Sequence, residues 1–350
     1  MKLFFSADQL HHRPQQYVRL GKIGPALENP NRMETLAQAL ASLGLERQAP
    51  QDHGREPILT IHDAGYLDFL ERIWSLWRDL PEAGPEVLPN VHPYRGAGAD
   101  LIRRDPCRNL GAIGLVGHYV GDLSCAMGEG TYRSAYASAQ SAISGAKAIL
   151  EGERRALALC RPPGHHCYRD RANGFCFLNN AAIAAQRLRS RFSKVAILDF
   201  DTHHGDGTQA IFYARGDVLV ASCHTDPTDY YPFFAGFADE RGHGEGIGAN
   251  LNVPLAFGAD DSTYLAAVES LAQAVRAFGA EALVVSAGWD AHRDDPLSRL
   301  KVSSDAFPRL GEVIAKLDLP TLIVQEGGYS LAAIAEAAPS FITAFLSGHR

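Results

Sequence analysis

The stretch VAILDFDTHHGDGTQ, residues 195–209, passes from a short apolar run into a cluster of carboxylates, imidazoles and glycines. Val195 to Asp199 shows no alternation of polar and apolar residues, which is how a strand covered on both faces reads. The runs Ala156 to Cys160, Val218 to Cys223, Leu283 to Ser286 and Thr321 to Val324 have the same character. Between them lie longer, Ala-rich stretches that read as helices: Tyr132 to Leu150, Asn180 to Ser190, Ser262 to Phe278 and Leu331 to Leu346, the last kinked or broken at Pro339. Strand and helix in alternation predict an α/β chain wound around a central, mainly parallel sheet.

Ligands of such sheets bind beyond the carboxyl ends of the strands. Each predicted strand here runs directly into a polar cluster: RPPGHH (161–166), DFDTHH (199–204), HTD (224–226), AGWDAH (287–292) and EGGY (326–329). Their convergence on one rim predicts an active site. Two regions are less regular. Residues 79–113, with Pro81, Pro85, Pro89, Pro93 and Pro106, read as a long insertion loop, a kind of segment that is usually functional inside a compact domain. Residues 225–250 form a second loop, with Tyr230, Tyr231, Phe233 and Phe234 ahead of the glycine-rich GHGEGIG (242–248). That glycine run precedes a strand-like segment instead of opening a helix, so it reads as a flexible loop and not as a phosphate cradle.

Asp199, Asp201 and His203 alternate at strand spacing and project to one side. With Asp290 from another strand end, Asp201 and His203 make two carboxylates and an imidazole, the three-ligand set of a catalytic zinc that leaves room for water. A lone Asp-x-His would read as a solvated strand end; the complete run, matched by Asp290, reads as a metal site, for which iron or cobalt are alternatives to zinc. His165 and His166 follow a rigid Pro-Pro-Gly turn and suit the roles of base and acid toward water and a leaving amine. Asp199 and Asp206 can orient their rings. Tyr329, after two glycines, can donate to an oxygen that becomes negative during hydrolysis.

Bulk properties narrow the partners. The 350 residues are 46% hydrophobic with a formal net charge of -7, which argues against nucleic acid and suits a cationic substrate. The six cysteines form no CxxC pair, so neither a zinc knuckle nor a disulfide framework is expected. No apolar run suggests a signal peptide or a membrane span, and the chain reads as cytoplasmic.

In order along the chain, RPPGHH, GFCFLNN (174–180), DFDTHHGDGTQ (199–209), NVPL (252–255), SAGWDAH (286–292) and EGGY resemble the zinc-dependent histone deacetylase superfamily over roughly residues 55–345. The resemblance implies a single domain over 1–350 with an arginase/deacetylase-like three-layer fold. It further implies Zn2+ on Asp201, His203 and Asp290, a base in His166, an electrostatic catalyst in His165, and Tyr329 polarising the substrate carbonyl. Asp199 would orient His165 and help hold a structural K+, and Asp206 would orient His166. Gly174, Phe175 and Tyr231 would wall a narrow tube for the substrate's methylenes, with Tyr230, Phe233 and Phe234 as alternatives to Tyr231.

Within the superfamily, PALENPNR (25–32) and HDAGYLDFL (62–70) resemble the bacterial acetylpolyamine amidohydrolases, whose equivalent of the 79–113 loop packs across a homodimer and narrows the mouth. That implies deacetylation of a small acylated amine, with a protein lysine deacetylase as the alternative. Two departures bear on polyamine preference. Ile113 and Gly114 stand where some members carry a carboxylate for a distal ammonium, and Leu297 stands where the eukaryotic polyamine-selective enzymes carry a glutamate gatekeeper.

Overall fold

The computed structural model describes residues 1–92 and 107–348. The strands are β1 (Lys2–Phe4), β2 (Gln16–Arg19), β3 (Lys22–Pro25), β4 (Glu46–Gln48), β5 (Arg155–Ala158), β6 (Val195–Asp199), β7 (Val218–Thr225), β8 (Asn250–Leu255), β9 (Ala282–Ala287) and β10 (Thr321–Gln325). The helices are α1 (Pro30–Leu40), α2 (Glu56–Leu59), α3 (Ala64–Arg78), α4 (Ala112–Tyr119), α5 (Thr131–Leu150), α6 (Asn180–Leu188), α7 (Asp206–Phe212), α8 (Asp261–Phe278), α9 (Ala306–Ala315) and α10 (Leu331–Ser347). Eight strands form one parallel sheet in the order β4-β1-β5-β10-β9-β6-β7-β8, and β2 and β3 form a separate antiparallel hairpin.

Both faces of the sheet are covered, which is why the strands carry no polar face. Val195 and Ile197 of β6 pack into one core with Ile143 and Ala146 of α5 and Ile183 of α6. Ala196 and Leu198 point the other way, into a core built with Val268 and Leu271 of α8 and Phe341 and Ile342 of α10. The helices begin where the sequence offers caps: Asn179 accepts from Ala182 N–H, Asp260 from Thr263 N–H and Ser330 from Ala333 N–H.

The strand order decides where a ligand can sit. After β6 the chain steps outward through β7 and β8, then returns to β9 and β10 on the opposite side of β6. Winding therefore reverses between β6 and β9, the switch point at which a crevice opens beyond the strand ends. Asp199 is level with Ser286 there, and Gln325 with Ala287, so the segments leaving β6, β9 and β10 emerge side by side.

A break at Pro339, one of the two expected outcomes there, is absent: the last helix continues through it. The carbonyl that loses its N–H partner is that of Ala335, on the exposed side of α10, where water can serve it, while Phe341, Ile342 and Phe345 remain packed. The segment read as a loop at about 79–113 meets α4 at Ala112, and Pro93 and Pro106 lie outside the described residues. Among the described residues no helix is long and apolar enough to cross a membrane.

Candidate active site

At the switch point Asp201, His203 and Asp290 come together, all buried, with donor atoms within 4.8 Å of one another. His203 Nδ1 faces Asp201 Oδ1 and Asp290 Oδ2, both at 3.1 Å. The second oxygens are held by backbone: Asp290 Oδ1 accepts Thr202 N–H at 3.0 Å, and Asp201 Oδ2 accepts Gly327 N–H at 2.8 Å. A Cβ on Gly327 would collide with both carboxylates, so that approach requires glycine. Two buried carboxylates repel. Burial, and then the charge of Asp201, push the Asp290 carboxyl up to about 7. A divalent cation on the ring nitrogen and one oxygen from each carboxylate would remove that repulsion, and the donor set of one nitrogen and two oxygens suits zinc with a position left open.

The Pro-Pro-Gly turn after β5 presents His165 and His166 with ring centroids 4.0 Å apart. The turn is pinned from behind by Glu326, whose Oε2 accepts the N–H groups of Gly164 at 2.7 Å and His165 at 3.1 Å. His165 Nδ1 pairs with Asp199 Oδ2 at 2.9 Å, and His166 Nδ1 with Asp206 Oδ1 at 2.7 Å. These partners occupy one nitrogen of each ring and leave Nε2 for chemistry. Proton affinity differs sharply between the two. Burial opposes charging of His165, but the carboxylates of Asp199 and Asp201 outweigh it and raise its pKa well above the usual histidine range. Burial, followed by the neighbouring His165 and His203, drives His166 well below it.

Partly exposed aromatic residues lie beside the paired histidines. Phe175 meets Tyr329 edge to face at 5.7 Å, and Tyr231 meets His166 at 4.8 Å. Gly174 has φ +53°, and a Cβ there would enter the His166 ring. The alternatives to Tyr231 separate by position. Tyr230 is buried behind the site, stacked on His203 at 4.9 Å with its hydroxyl donating to Leu297 O at 2.6 Å. Phe233 lies against Tyr231, and Phe234 is 91% exposed. Leu297 is buried, and its backbone carbonyl accepts the Tyr230 hydroxyl.

Several neighbours of the site carried no role in the sequence reading. Asp122 Oδ2 accepts the Tyr231 hydroxyl at 2.6 Å and Gly174 N–H at 3.1 Å, tying these two segments together. It stands eight residues beyond Gly114, where sequence position alone finds no carboxylate, because Ile113 and Gly114 belong to α4. Tyr17 of the hairpin packs on Phe175 at 5.7 Å. Arg32 lies 4.4 Å from the Tyr329 ring centroid and donates to the carbonyls of Gly328 and Glu326. Glu28, four residues before it, binds both Arg32 and the buried Arg161. The Glu-x-x-x-Arg spacing within PALENPNR was the available signal.

A wholly parallel sheet carrying at its switch point a buried Asp-His-Asp group that could hold a metal ion, beside a paired-histidine turn, is an α/β arrangement suited to metal-assisted hydrolysis. The histone deacetylase domain family matches residues 26–345, and the chain belongs to that family of deacetylating amidohydrolases. It is 45% identical over 346 residues to an acetylpolyamine amidohydrolase of Burkholderia pseudomallei (strain 1710b), covering 99% of this chain and 98% of that protein. It is 41% identical over 333 residues to an acetylpolyamine amidohydrolase of Mycoplana ramosa, covering 95% of each. A crystal structure of the acetylpolyamine aminohydrolase from Burkholderia pseudomallei superposes with a TM-score of 0.95 at 44% identity, covering 100% of both chains.

Proposed function

We propose that this chain, acting as one catalytic domain, is a zinc-dependent deacetylase that cleaves the acetyl amide of a small acylated amine such as an acetylpolyamine. The observation that carries the substrate class is identity of 45% to a protein named acetylpolyamine amidohydrolase across almost the full length of both. Asp201, His203 and Asp290 would hold the metal, which when bound supplies Lewis acidity toward an amide oxygen and lowers the pKa of a nearby water.

The chain's own groups divide the remaining work. His166, kept neutral, accepts the attacking water's proton at Nε2 while Asp206 holds its other nitrogen. His165, kept charged by Asp199 and Asp201, sets positive charge against the oxyanion that develops. Burial raises the Tyr329 phenol well above its usual range, so the hydroxyl stays protonated and donates to that oxyanion. A proton from the histidine pair passes to the departing nitrogen, giving acetate and a free amine. Phe175 and Tyr231 wrap the apolar chain of the substrate and exclude water from the reacting centre, and Asp122 keeps those walls in register.

The K+ beside Asp199 and a cytoplasmic location rest on family resemblance and composition, and K+-free dialysis and fractionation would test them. A homodimer rests on the same resemblance together with Leu20 and Ile23, which the hairpin leaves 83% and 72% exposed. A solution mass equal to one chain would remove the dimer.

Substrate class is tested by kcat/KM of the zinc-loaded protein for acetylputrescine, N8-acetylspermidine and an acetyl-lysine peptide. The expected result is a preference for the small amines of at least about tenfold. Preference for the peptide would replace this reading with that of a protein lysine deacetylase.

A further inference from the structure

The turn after β9 joins two parts of the site through a few residues of backbone. Asp290 stands at its start, and Asp295, five residues later, is 5% exposed. Asp295 Oδ2 accepts the N–H groups of Tyr329 at 2.6 Å and Ser330 at 2.9 Å, while Oδ1 accepts Leu297 N–H at 3.0 Å. The turn is closed by Asp295 N–H to His292 O at 2.9 Å and Ser298 N–H to Asp295 O at 3.1 Å. Its far side is held by the Tyr230 hydroxyl on Leu297 O, with the Tyr230 ring stacked on His203.

Tyr329 needs such an anchor. The residues before it, Gly327 and Gly328, have no side chains to pack, and Gly328 has φ +115°, so the direction of the backbone there is set through its own N–H and carbonyl groups, with Gly327 N–H on Asp201 Oδ2 at 2.8 Å and Gly327 O accepting from Gln325 Nε2 at 3.0 Å. Arg32 grips the carbonyls of Glu326 and Gly328 from one side. From the other side, the N–H of Tyr329 itself is held by Asp295. Burial raises the Asp295 pKa, and the N–H groups of Tyr329, Leu297 and Ser330 oppose that shift by favouring the carboxylate; two successive N–H groups at the start of α10 thus meet a single oxygen, and in the ionised form these bonds are charge-assisted and stronger than bonds between neutral partners.

We propose that Asp295 is a positioning residue for Tyr329: its carboxylate fixes the backbone from which the phenol reaches the pocket, at a set distance from the Asp201, His203 and Asp290 group. Because the same turn carries Asp290, the phenol and the metal position move as one unit. This rests on the oxyanion role given to Tyr329 above.

A carboxamide cannot replace this carboxylate, since in Asp295→Asn one of the two terminal atoms turns a donor toward an N–H. The test is a double-mutant cycle of Asp295→Asn with Tyr329→Phe on zinc-loaded protein, reading kcat, KM, zinc content and melting temperature. Asp295→Asn is expected to lower kcat by about 10- to 100-fold with zinc bound and KM little changed, as a misplaced group costs. In the Tyr329→Phe background the same change is expected to cost less than about twofold, because residues acting as a unit are not additive. Where Asp295→Asn does not fold, Asp295→Glu runs the same cycle, with its longer arm displacing the three acceptor contacts while keeping the charge. Equal losses in both backgrounds, or no loss in either, overturn the proposal. Near-normal turnover of Tyr329→Phe alone overturns instead the role of Tyr329, so the two failures are distinct.

Discussion

Tyr329→Phe is expected to lower kcat by roughly 10²- to 10³-fold, the cost of deleting one preorganised oxyanion donor. The substitution removes an O–H and leaves the ring, so the edge contact with Phe175 at 5.7 Å and the Arg32 guanidinium 4.4 Å from the ring centroid persist. None of the Asp201, His203 or Asp290 contacts involves the phenol, so zinc content is expected to be unchanged. KM is expected to move little, because the hydroxyl is needed mainly once the carbonyl oxygen has become negative. Steady-state kinetics with metal analysis on the same sample decides it. Turnover near that of the parent, with zinc bound, would remove the phenol from the reaction.

The parts of the fold legible in the sequence were those with long-range burial on both faces. β6, β7, β9 and β10 are apolar because helices cover each side, and the predicted boundaries fall within two residues of those observed. β1 and β4 span three residues each, too few for any period to show, and their place at one end of the sheet is decided by partners far along the chain. The chemistry-bearing clusters were legible for the same topological reason: adjacent strands end level, so residues from β6 and β9 meet. The supporting groups were not. Asp122, Asp295, Tyr230 and Arg32 act through backbone atoms or rings distant in sequence, and an isolated Asp or Tyr in a turn has no spacing that marks it.

Asp290→Asn is expected to weaken zinc binding by more than about 100-fold, since substitutions one shell further out already cost 10- to 100-fold. Stability separates this from general damage. In the metal-free protein the Asp290 carboxyl is raised to about 7 by burial and by Asp201. Its folded pKa therefore exceeds the unfolded value near 3.9, so between about 4 and 7 the folded state binds more protons, and this group adds stability as pH falls through that window. Burial opposes charging of His203, but the two carboxylates it lies between raise its pKa to about 9, so the ionised pair is at its least favourable only above that pH, and there neutral Asn relieves it. The metal-free variant is then expected to melt no lower than the metal-free parent at pH 10 and to lose the Asp290 part of the pH dependence. Zinc acts oppositely: it must displace the Asp290 proton and also that of His203, whose pKa burial opposes but Asp201 and Asp290 raise to about 9, so the parent's affinity is expected to fall by about tenfold per unit below about pH 9 and by about a hundredfold per unit below about 7. Saturating zinc raises the parent's melting temperature, by the equivalent of about 2.7 kcal/mol at a hundred times Kd, and is expected to leave the variant's almost unchanged. A variant that melts well below the metal-free parent at pH 10 would mean that Asp290 is needed to build the fold; one that still gains full stability from zinc would mean that the metal is held elsewhere.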